Sequence, residues 1–323
     1  MPLNDLPITE LRSYRPEVAE PRDFEEFWAG TIAQARALGG VVQLTPVETP
    51  ISELDIVDMT FPGYGGDPIR AWLTKPKGAT GPLPTVVEYV GYGGGRGLAG
   101  EKLQWAASGY VHVLMDTRGQ GSVWGSGGDT DDPHGTGPSV PGFMTRGIHH
   151  QDDYYYRRVF TDGVRLIDAV ASLDFVDPTR IAVTGGSQGG GISIAVAALE
   201  PRVSAVMPDV PFLCHFRRSA EITPRDPFPE ISRYLAVHRD QAERVFETLS
   251  YFDGVNFARH IAAPALFSVA LMDDVVMPST VFAAFNSLAS DDAEIEVYGF
   301  NGHEGGQAFQ WLRQARWLAQ RLG

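Results

Sequence analysis

The sequence of 323 residues has little cysteine and a deficit of positive charge. Cys214 is the only cysteine, which excludes a disulfide within the chain and a metal site built from several thiolates. Lysine and arginine total 26 against 40 acidic residues, so the formal charge is -14. Because nucleic-acid-binding proteins need a basic face, this balance argues against nucleic acid as a partner and favours a neutral or cationic small substrate.

The sequence also has no segment typical of export or membrane insertion. Residues 1–5 have neither the basic region nor the apolar core of a signal peptide. No run of about 18 apolar residues occurs anywhere in the chain. We therefore expect a cytoplasmic protein that has no membrane partner.

Strand and helix patterns alternate along most of the chain, which predicts an α/β fold. Alternating runs at 54–61 and 69–73 flank a glycine turn and predict an antiparallel hairpin. The order strand, helix, strand over 85–90, 103–108 and 110–116 predicts a right-handed parallel crossover. The expected sheet is doubly wound and mostly parallel.

Two segments stand outside this alternation. Residues 1–40 predict an N-terminal arm followed by a helix that Asp23 caps. Prolines interrupt residues 211–262, and 233–252 has the pattern of an amphipathic helical stretch, which predicts an insertion that partly covers the site. We expect both to belong to a single domain over residues 1–323.

A β-branched run at 181–184 ends abruptly at Gly185-Gly186-Ser187-Gln188-Gly189, and a helical pattern follows it. This frame satisfies G-x-S-x-G, in which a serine occupies a tight turn between a strand and a helix. The strand before the motif and the helix after it are the context that the motif requires. We interpret Ser187 as a nucleophile.

A serine nucleophile needs a base that removes its proton and an acid that orients the base. In α/β-hydrolases the acid follows the serine at a strand end, and the histidine lies on a late loop. Asp273 follows the strand pattern at 265–271, and His303 follows the last strand pattern, so both are candidates. The alternatives are Asp274 for the acid and His215, His238 and His260 for the base.

The glycine-rich loop 91–97 follows the strand pattern at 85–90. It fails the dinucleotide-binding fingerprint because Arg96 stands where the third glycine is required. Lipases and esterases place an oxyanion donor on the loop after an early strand. We therefore expect the main-chain amide of Tyr92 to contribute to an oxyanion hole.

Two segments have residues that also occur in metal sites. Asp129, Asp131 and Asp132 lack the order of a calcium-binding loop. The histidines and aspartates of 149–153 lack the separated ligands of a zinc site. We expect no metal and no other cofactor.

Three motifs together resemble the acetyl xylan esterase and cephalosporin C deacetylase family, the seventh carbohydrate esterase family. The motifs are Arg118-Gly119-Gln120, Gly185-Gly186-Ser187-Gln188-Gly189 and His303-Glu304. The segments 91–97, 142–147 and 154–161 and Leu271-Met272-Asp273 are similar to that family too. The resemblance covers nearly the whole chain.

The resemblance implies an α/β-hydrolase fold and favours Asp273 over Asp274. It implies the following residues: the triad Ser187, Asp273 and His303, oxyanion donors at the amides of Tyr92 and Gln188, and structural support from Arg118, Gly119, Gln120 and Glu304. It also implies removal of acetyl groups from xylooligosaccharides and cephalosporin C, an intracellular location and a hexamer. Gly93 departs from the family, in which asparagine is common, and this departure could change how the Tyr92 amide is aimed.

Two other classes of function are compatible with the same residues. One keeps the fold and changes the acyl bond, as in a longer-chain esterase or a peptidase of the prolyl oligopeptidase type. The other is a binding protein of the same fold without turnover, which would be expected to lack a member of the triad.

Overall fold

A computed structural model describes residues 5–135 and 137–323, and within these ranges nine strands form one sheet. The strands are β1 (Gln43–Pro46), β2 (Leu54–Pro62), β3 (Pro68–Pro76), β4 (Leu83–Tyr89), β5 (Val111–Met115), β6 (Val176–Gly186), β7 (Val203–Asp209), β8 (Ala265–Ala270) and β9 (Ala293–Tyr298). Their order across the sheet is β1-β2-β3-β5-β4-β6-β7-β8-β9.

Helices lie before, between and after these strands along the described residues. They are α1 (Ile8–Leu11), α2 (Phe24–Ala37), α3 (Gln104–Ala107), α4 (Tyr155–Ala171), α5 (Gln188–Leu199), α6 (Phe216–Ile222), α7 (Pro229–Val237), α8 (Ala242–Ser250), α9 (Gly254–Ala258), α10 (Pro278–Phe285) and α11 (Gln307–Leu322). Every one of the described helices is too short or too polar to traverse a lipid bilayer.

The sheet is parallel from β5 to β9 and antiparallel at its N-terminal edge. Strands β1, β2 and β3 pair antiparallel, and β3 pairs antiparallel with β5. The pairs β5–β4, β4–β6, β6–β7, β7–β8 and β8–β9 are all parallel. The predicted hairpin, the parallel pairing of β4 and β5 in the predicted crossover, and the mostly parallel sheet of an α/β-hydrolase fold are thus confirmed.

Helices cover both faces of the sheet. Successive strand residues point to opposite faces, so apolar side chains from one strand can pack against helices on both. Val86 packs in a cluster with Trp105 of α3 and Trp317 of α11 on one face. The next residue, Val87, belongs to the larger cluster on the other face, which includes Ile192 of α5. The central strands are therefore buried on both sides, as β5 and β8 show. The parallel strands end at one edge of the sheet, where loops bring together the polar residues of the site.

The helix predicted within residues 1–40 is α2, and its start differs from the prediction. Helix α2 begins at Phe24 as expected, but the Asp23 side chain accepts no hydrogen bond from a helix amide. Instead, the Tyr251 hydroxyl donates to Asp23 Oδ1 at 2.6 Å. Asp23 has φ -104° and ψ 19°, which is not the extended conformation that aims an N-cap side chain at the first turn. The predicted cap is wrong, because the carboxylate ties α2 to residues after α8 instead.

The predicted helical stretch over 233–252 is also wrong as a single element. Helix α7 ends at Val237, because His238 adopts φ -93° and ψ 64°, and α8 begins four residues later at Ala242. The segment 211–262 forms four short helices, α6 to α9, among the described residues. Asp253 anchors this segment by accepting hydrogen bonds from the amides of His215 and Phe216, each at 2.8 Å. Its role as a partial lid stays a prediction.

Candidate active site

Ser187 lies in the sharp turn between β6 and α5. Its backbone has φ 55° and ψ -116°, a strained conformation for a residue with a side chain. The turn is held because the Ser187 amide donates to the carbonyl oxygen of Asp209 at 2.9 Å. Glycine is required at Gly189, since a Cβ atom there would lie 2.0 Å from the Tyr89 carbonyl oxygen. The motif therefore folds into the tight turn that its spacing predicts, with the serine side chain at the edge of the sheet.

The three side chains of the predicted triad form one hydrogen-bonded chain. His303 Nε2 lies 3.0 Å from Ser187 Oγ, and His303 Nδ1 lies 2.8 Å from Asp273 Oδ2. With its proton on Nδ1, His303 donates to Asp273 and accepts from the Ser187 hydroxyl. This arrangement allows His303 to take the serine proton while Asp273 stabilises the resulting imidazolium.

Asp273 is fixed more firmly than its neighbour Asp274. Its side chain is 1% exposed, and its Oδ1 accepts hydrogen bonds from the amides of Val275 and Val276, each at 2.8 Å. Asp274 instead forms an exposed ion pair with Arg225 at 3.1 Å. The two adjacent aspartates thus have different surroundings, and only Asp273 contacts His303.

None of the alternative histidines forms a hydrogen bond with Ser187 among the described residues. Nε2 of His260 lies 3.2 Å from a carboxylate oxygen of Glu20. His238 stacks on Tyr234 with ring centroids 4.3 Å apart. Burial lowers the pKa of His215 to about 4, so its imidazole is neutral near pH 7. None of these three is positioned to accept the Ser187 proton.

Two main-chain amides lie on segments near the serine, because Gln188 directly follows Ser187 and Gly91, which precedes Tyr92, lines the same cavity as Ser187. Among the described residues, neither the Tyr92 amide nor the Gln188 amide donates to a protein acceptor. Gln188 is the first residue of α5, so its amide is one of the unpaired donors at a helix N-terminus. Such amides can hold the negative oxygen of a tetrahedral intermediate. Their role as an oxyanion hole stays a prediction.

Gln120 links the segments that carry both amides. Its Oε1 accepts from the Gly93 amide at 2.7 Å, next to Tyr92 in the chain. Its Nε2 donates to Gln188 Oε1 at 2.8 Å. Gly93 has φ 78°, and a Cβ atom there would lie 2.8 Å from the Val123 side chain, so this loop accommodates glycine better than asparagine. The hydrogen bond to Gln120 then fixes the direction of the peptide next to Tyr92 despite the departure from asparagine.

A buried network surrounds the Gln120 and Gln188 side chains. The Tyr156 hydroxyl donates to Gln188 Oε1 at 2.9 Å, and Gln188 Nε2 donates to the Val90 carbonyl at 3.1 Å. Gln120 Nε2 also donates to the Tyr155 hydroxyl at 3.1 Å. Fully paired buried networks of this kind hold their members in one arrangement.

The Tyr92 side chain is anchored from the segment 211–262. Its hydroxyl donates to Glu230 Oε1 at 2.7 Å and accepts from the Phe143 amide at 2.6 Å. The other carboxylate oxygen of Glu230 accepts from the Met144 amide at 3.0 Å. Burial raises the pKa of Glu230, and burial next to that carboxylate raises the pKa of Tyr92 well above its usual range. Glu230 therefore connects α7 to the glycine loop.

Sequence reasoning missed Glu230 because no local pattern marks it. It is separated from Tyr92 by 138 positions, and it follows a proline at the start of a short helix. An isolated glutamate in the first turn of a helix is explained by the helix dipole alone. Only the fold shows that its carboxylate faces the loop.

The remaining predicted residues form contacts with residues outside the triad. Arg118 is fully buried and donates to both oxygens of Asp162, at 2.6 and 2.8 Å, and to Asp67 at 2.8 Å. The Gly119 amide donates to the Thr130 carbonyl at 2.7 Å. Glu304 is exposed, and a hydrogen bond from Asn301 lowers its pKa. These contacts suit structural support.

The acidic and histidine-bearing segments have protein partners. Asp132 pairs with Arg158 at 2.8 Å, and Asp129 pairs with Arg70. His149 contacts the Tyr234 hydroxyl. In residues 5–135 and 137–323, no group of three or more His, Cys, Asp or Glu side chains is arranged to bind a metal ion.

The sequence matches the family described as acetyl xylan esterase (AXE1) over residues 1–321. The curated acetyl esterase Axe7A of Xylanibacter ruminicola is 28% identical over 284 residues, which are 85% of this chain. The match spans 62% of that relative, so this chain covers less than two thirds of its length.

Two solved structures are similar over almost the whole chain. The acetyl xylan esterase from Paenibacillus sp. R4 superimposes with a TM-score of 0.93 at 40% identity, covering 98% of this chain and 100% of that one. Acetyl xylan esterase 1 from Thermoanaerobacterium sp. JW/SL YS485 gives a TM-score of 0.91 at 34% identity, with coverage of 99% and 100%.

Proposed function

We propose, because this chain belongs to the acetyl xylan esterase family, that it is a serine esterase that removes acetyl groups from acetylated xylooligosaccharides. The observation that carries the proposal is the chain of hydrogen bonds from Ser187 through His303 to Asp273, at 3.0 and 2.8 Å. The amides of Tyr92 and Gln188, which have no protein acceptor among the described residues, support it as well. The substrate class follows from the family and from the names of the relatives.

The first half of the reaction forms an acetyl-enzyme. Ser187 Oγ attacks the acetyl carbonyl carbon while His303 Nε2 takes the hydroxyl proton. The amides of Tyr92 and Gln188 hold the carbonyl oxygen as it becomes negative. The bond to the sugar oxygen then breaks, and His303 returns the proton to that oxygen, so the sugar leaves as a neutral alcohol.

The second half releases acetate by the same groups. His303 removes a proton from a water molecule, which attacks the acetyl carbon on Ser187. The same two amides hold the second oxyanion. When the bond to Ser187 Oγ breaks, the proton on His303 returns to the serine. Asp273 keeps the imidazole oriented throughout and stabilises its positive charge in both halves.

A panel of acyl substrates separates this proposal from the two other hydrolase functions. The panel contains the acetyl, butyryl and octanoyl esters of 4-nitrophenol and a peptide anilide. We expect the acetyl ester to have the highest kcat/KM and the Ser187→Ala variant to be inactive on all four. Peptide cleavage without acetyl release would contradict the proposal, and so would a preference for the octanoyl ester.

We further propose cephalosporin C as a second substrate, a cytoplasmic location and a hexameric assembly, all supported by the family resemblance. The single cysteine is compatible with a reducing compartment. Acetate release from cephalosporin C tests the substrate, and light scattering after size-exclusion chromatography tests the hexamer. A monomer, or an absence of acetate, would contradict the corresponding statement.

A further inference from the structure

The position of His303 fixes the side of the serine on which the leaving alcohol must lie. His303 Nε2 returns a proton to the leaving oxygen, so that oxygen has to come within hydrogen-bond distance of this nitrogen. The turn from His303 to Gln307 forms one wall of a cavity of about 290 Å³ that opens at Ser187. The leaving group of the ester therefore faces this cavity.

The cavity continues along the N-terminal end of α11. A second space of about 210 Å³ shares Glu88, Lys102, Gly186, Asp209 and Gln307 with the first. We call the two together the leaving-group recess, defined by these five residues and His303. An acetyl group alone does not require this space, since the cavity at Ser187 by itself approaches the lower end, about 300 Å³, of small-molecule pockets.

The recess has polar side chains that suit hydroxyl groups. Burial raises the pKa of Glu88, but Lys102 and His112 outweigh it and lower the pKa to about 2, so Glu88 is an ionised acceptor. Burial raises the pKa of Asp209 to about 7, which allows its carboxyl group to donate or accept near neutral pH. Lys102 contributes an ammonium donor beside Glu88.

Gln307 is the least constrained of these side chains. It is the first residue of α11 and is exposed, and its side chain makes no hydrogen bond with a described residue. Its amide has a donor and an acceptor that can serve vicinal hydroxyls. Its backbone has φ 45°, and the neighbouring lining residue Val210 has φ 37°. Such strained residues concentrate at functional sites.

We propose that the leaving-group recess binds the sugar part of the acetyl ester, with Glu88 and Gln307 as specificity-determining residues that bond its hydroxyl groups. The inference rests on the proposed esterase function and names the part of the substrate that the recess recognises. The ligand class is a neutral polyol, because Glu88 and the exposed Glu304 at the opening disfavour an anionic leaving group.

The test compares a substrate that contains a sugar with one that does not. The kcat/KM values for acetylated xylobiose and for 4-nitrophenyl acetate are measured with the wild type, Gln307→Ala and Glu88→Gln. The matched control is Gln320→Ala, which removes the same side chain from an exposed position on α11 outside the recess. Thermal unfolding of each variant reports whether it is folded.

We expect Gln307→Ala to lower kcat/KM for acetylated xylobiose by about 3- to 10-fold, as expected for one neutral hydrogen bond. Glu88→Gln removes a charged acceptor and should lower it by about 10-fold or more. Both variants should retain 4-nitrophenyl acetate activity within about 2-fold, because that substrate has no hydroxyls to bond. Xylobiose should inhibit 4-nitrophenyl acetate hydrolysis by the wild type, and more weakly with Gln307→Ala.

The two levels of the account fail in different ways. A wild type that hydrolyses neither ester contradicts the proposed function. The other result is a wild type that hydrolyses both esters, with a ratio of the two kcat/KM values that does not change in Gln307→Ala and Glu88→Gln. This result would overturn only the proposal that the leaving-group recess binds the sugar. A shift in that ratio with Gln320→Ala as large as with Gln307→Ala would overturn it too.

Discussion

Replacing Gln120 by methionine tests how the proposed oxyanion donors, the amides of Tyr92 and Gln188, are held. Methionine has a similar length but provides no carbonyl oxygen, so the Gly93 amide loses its acceptor at 2.7 Å. The Gln188 side chain keeps its contacts with Tyr156 and Val90. The substitution therefore leaves one buried amide unpaired and loosens the peptide between Tyr92 and Gly93, which is then held only from Trp124 Nε1 to the Tyr92 carbonyl at 2.7 Å among the described residues.

The structure sets the size of both effects. One unpaired buried amide should lower the free energy of unfolding by about 1 to 3 kcal/mol. Complete loss of an oxyanion donor lowers kcat by about 10² to 10³. Since Gln120→Met misaims the Tyr92 amide rather than removing it, we expect kcat to fall by about 10- to 100-fold. KM should change little, because the oxyanion exists only in the transition state and the intermediates.

The assay is steady-state hydrolysis of 4-nitrophenyl acetate together with urea unfolding. The control is Tyr155→Phe, which removes a hydroxyl of the same network that lies 3.1 Å from Gln120 Nε2. This variant keeps Gln120 Oε1, which accepts the hydrogen bond from the Gly93 amide. It should lower stability by a similar amount and keep kcat within about 3-fold. If Gln120→Met has reduced stability but a wild-type kcat, Gln120 does not position the oxyanion donor.

Three further substitutions test other parts of the account. Asp273→Asn should lower kcat by about 10⁴-fold, which is the loss seen when the orienting acid of a serine protease is replaced. The control Asp274→Asn should keep kcat within about 2-fold of the wild type. Similar losses of kcat for both variants would contradict the assignment of Asp273. Arg118→Lys should lower the free energy of unfolding, measured in urea, by about 1 to 3 kcal/mol, because lysine cannot bond both oxygens of Asp162. The kcat per folded molecule should not change. A large loss of kcat per folded molecule would contradict a purely structural role of Arg118. Burial raises the pKa of Asp209 in the folded state to about 7 from 3.8. The folded state therefore binds more protons between these two values, and the stability that this group contributes falls as the pH rises from about 4 to about 7. Asp209→Asn should flatten this fall in urea unfolding over the same pH range, and an unchanged slope would refute it.

Short-range patterns predicted the parts of the site that lie next to one another in the chain. The turn at Ser187 was predictable because glycine spacing and a strand before it determine the local backbone. Asp273 and His303 were predictable by order along the chain, since parallel strands end at the same edge of the sheet. The fold class followed from the alternation of strand and helix patterns.

Tertiary contacts determine the features that the sequence did not predict, and such contacts leave no signal in the local sequence. The Asp23 carboxylate bonds Tyr251, which lies 228 positions away, instead of its own helix. The break between α7 and α8 involves neither glycine nor proline, the residues that usually mark an end of a helix. Glu230 shows its relation to the site only once segments that are 138 positions apart in the chain are packed together.

The most direct test of the central claim is acetate release from acetylated xylooligosaccharides by the wild type and by Ser187→Ala, with mass spectrometry of the acid-quenched wild-type reaction. We predict acetate from the wild type, none above background from Ser187→Ala, and an acetyl group on the peptide that contains Ser187. Full acetate release by Ser187→Ala, or an acetyl group on a different residue, would contradict the account.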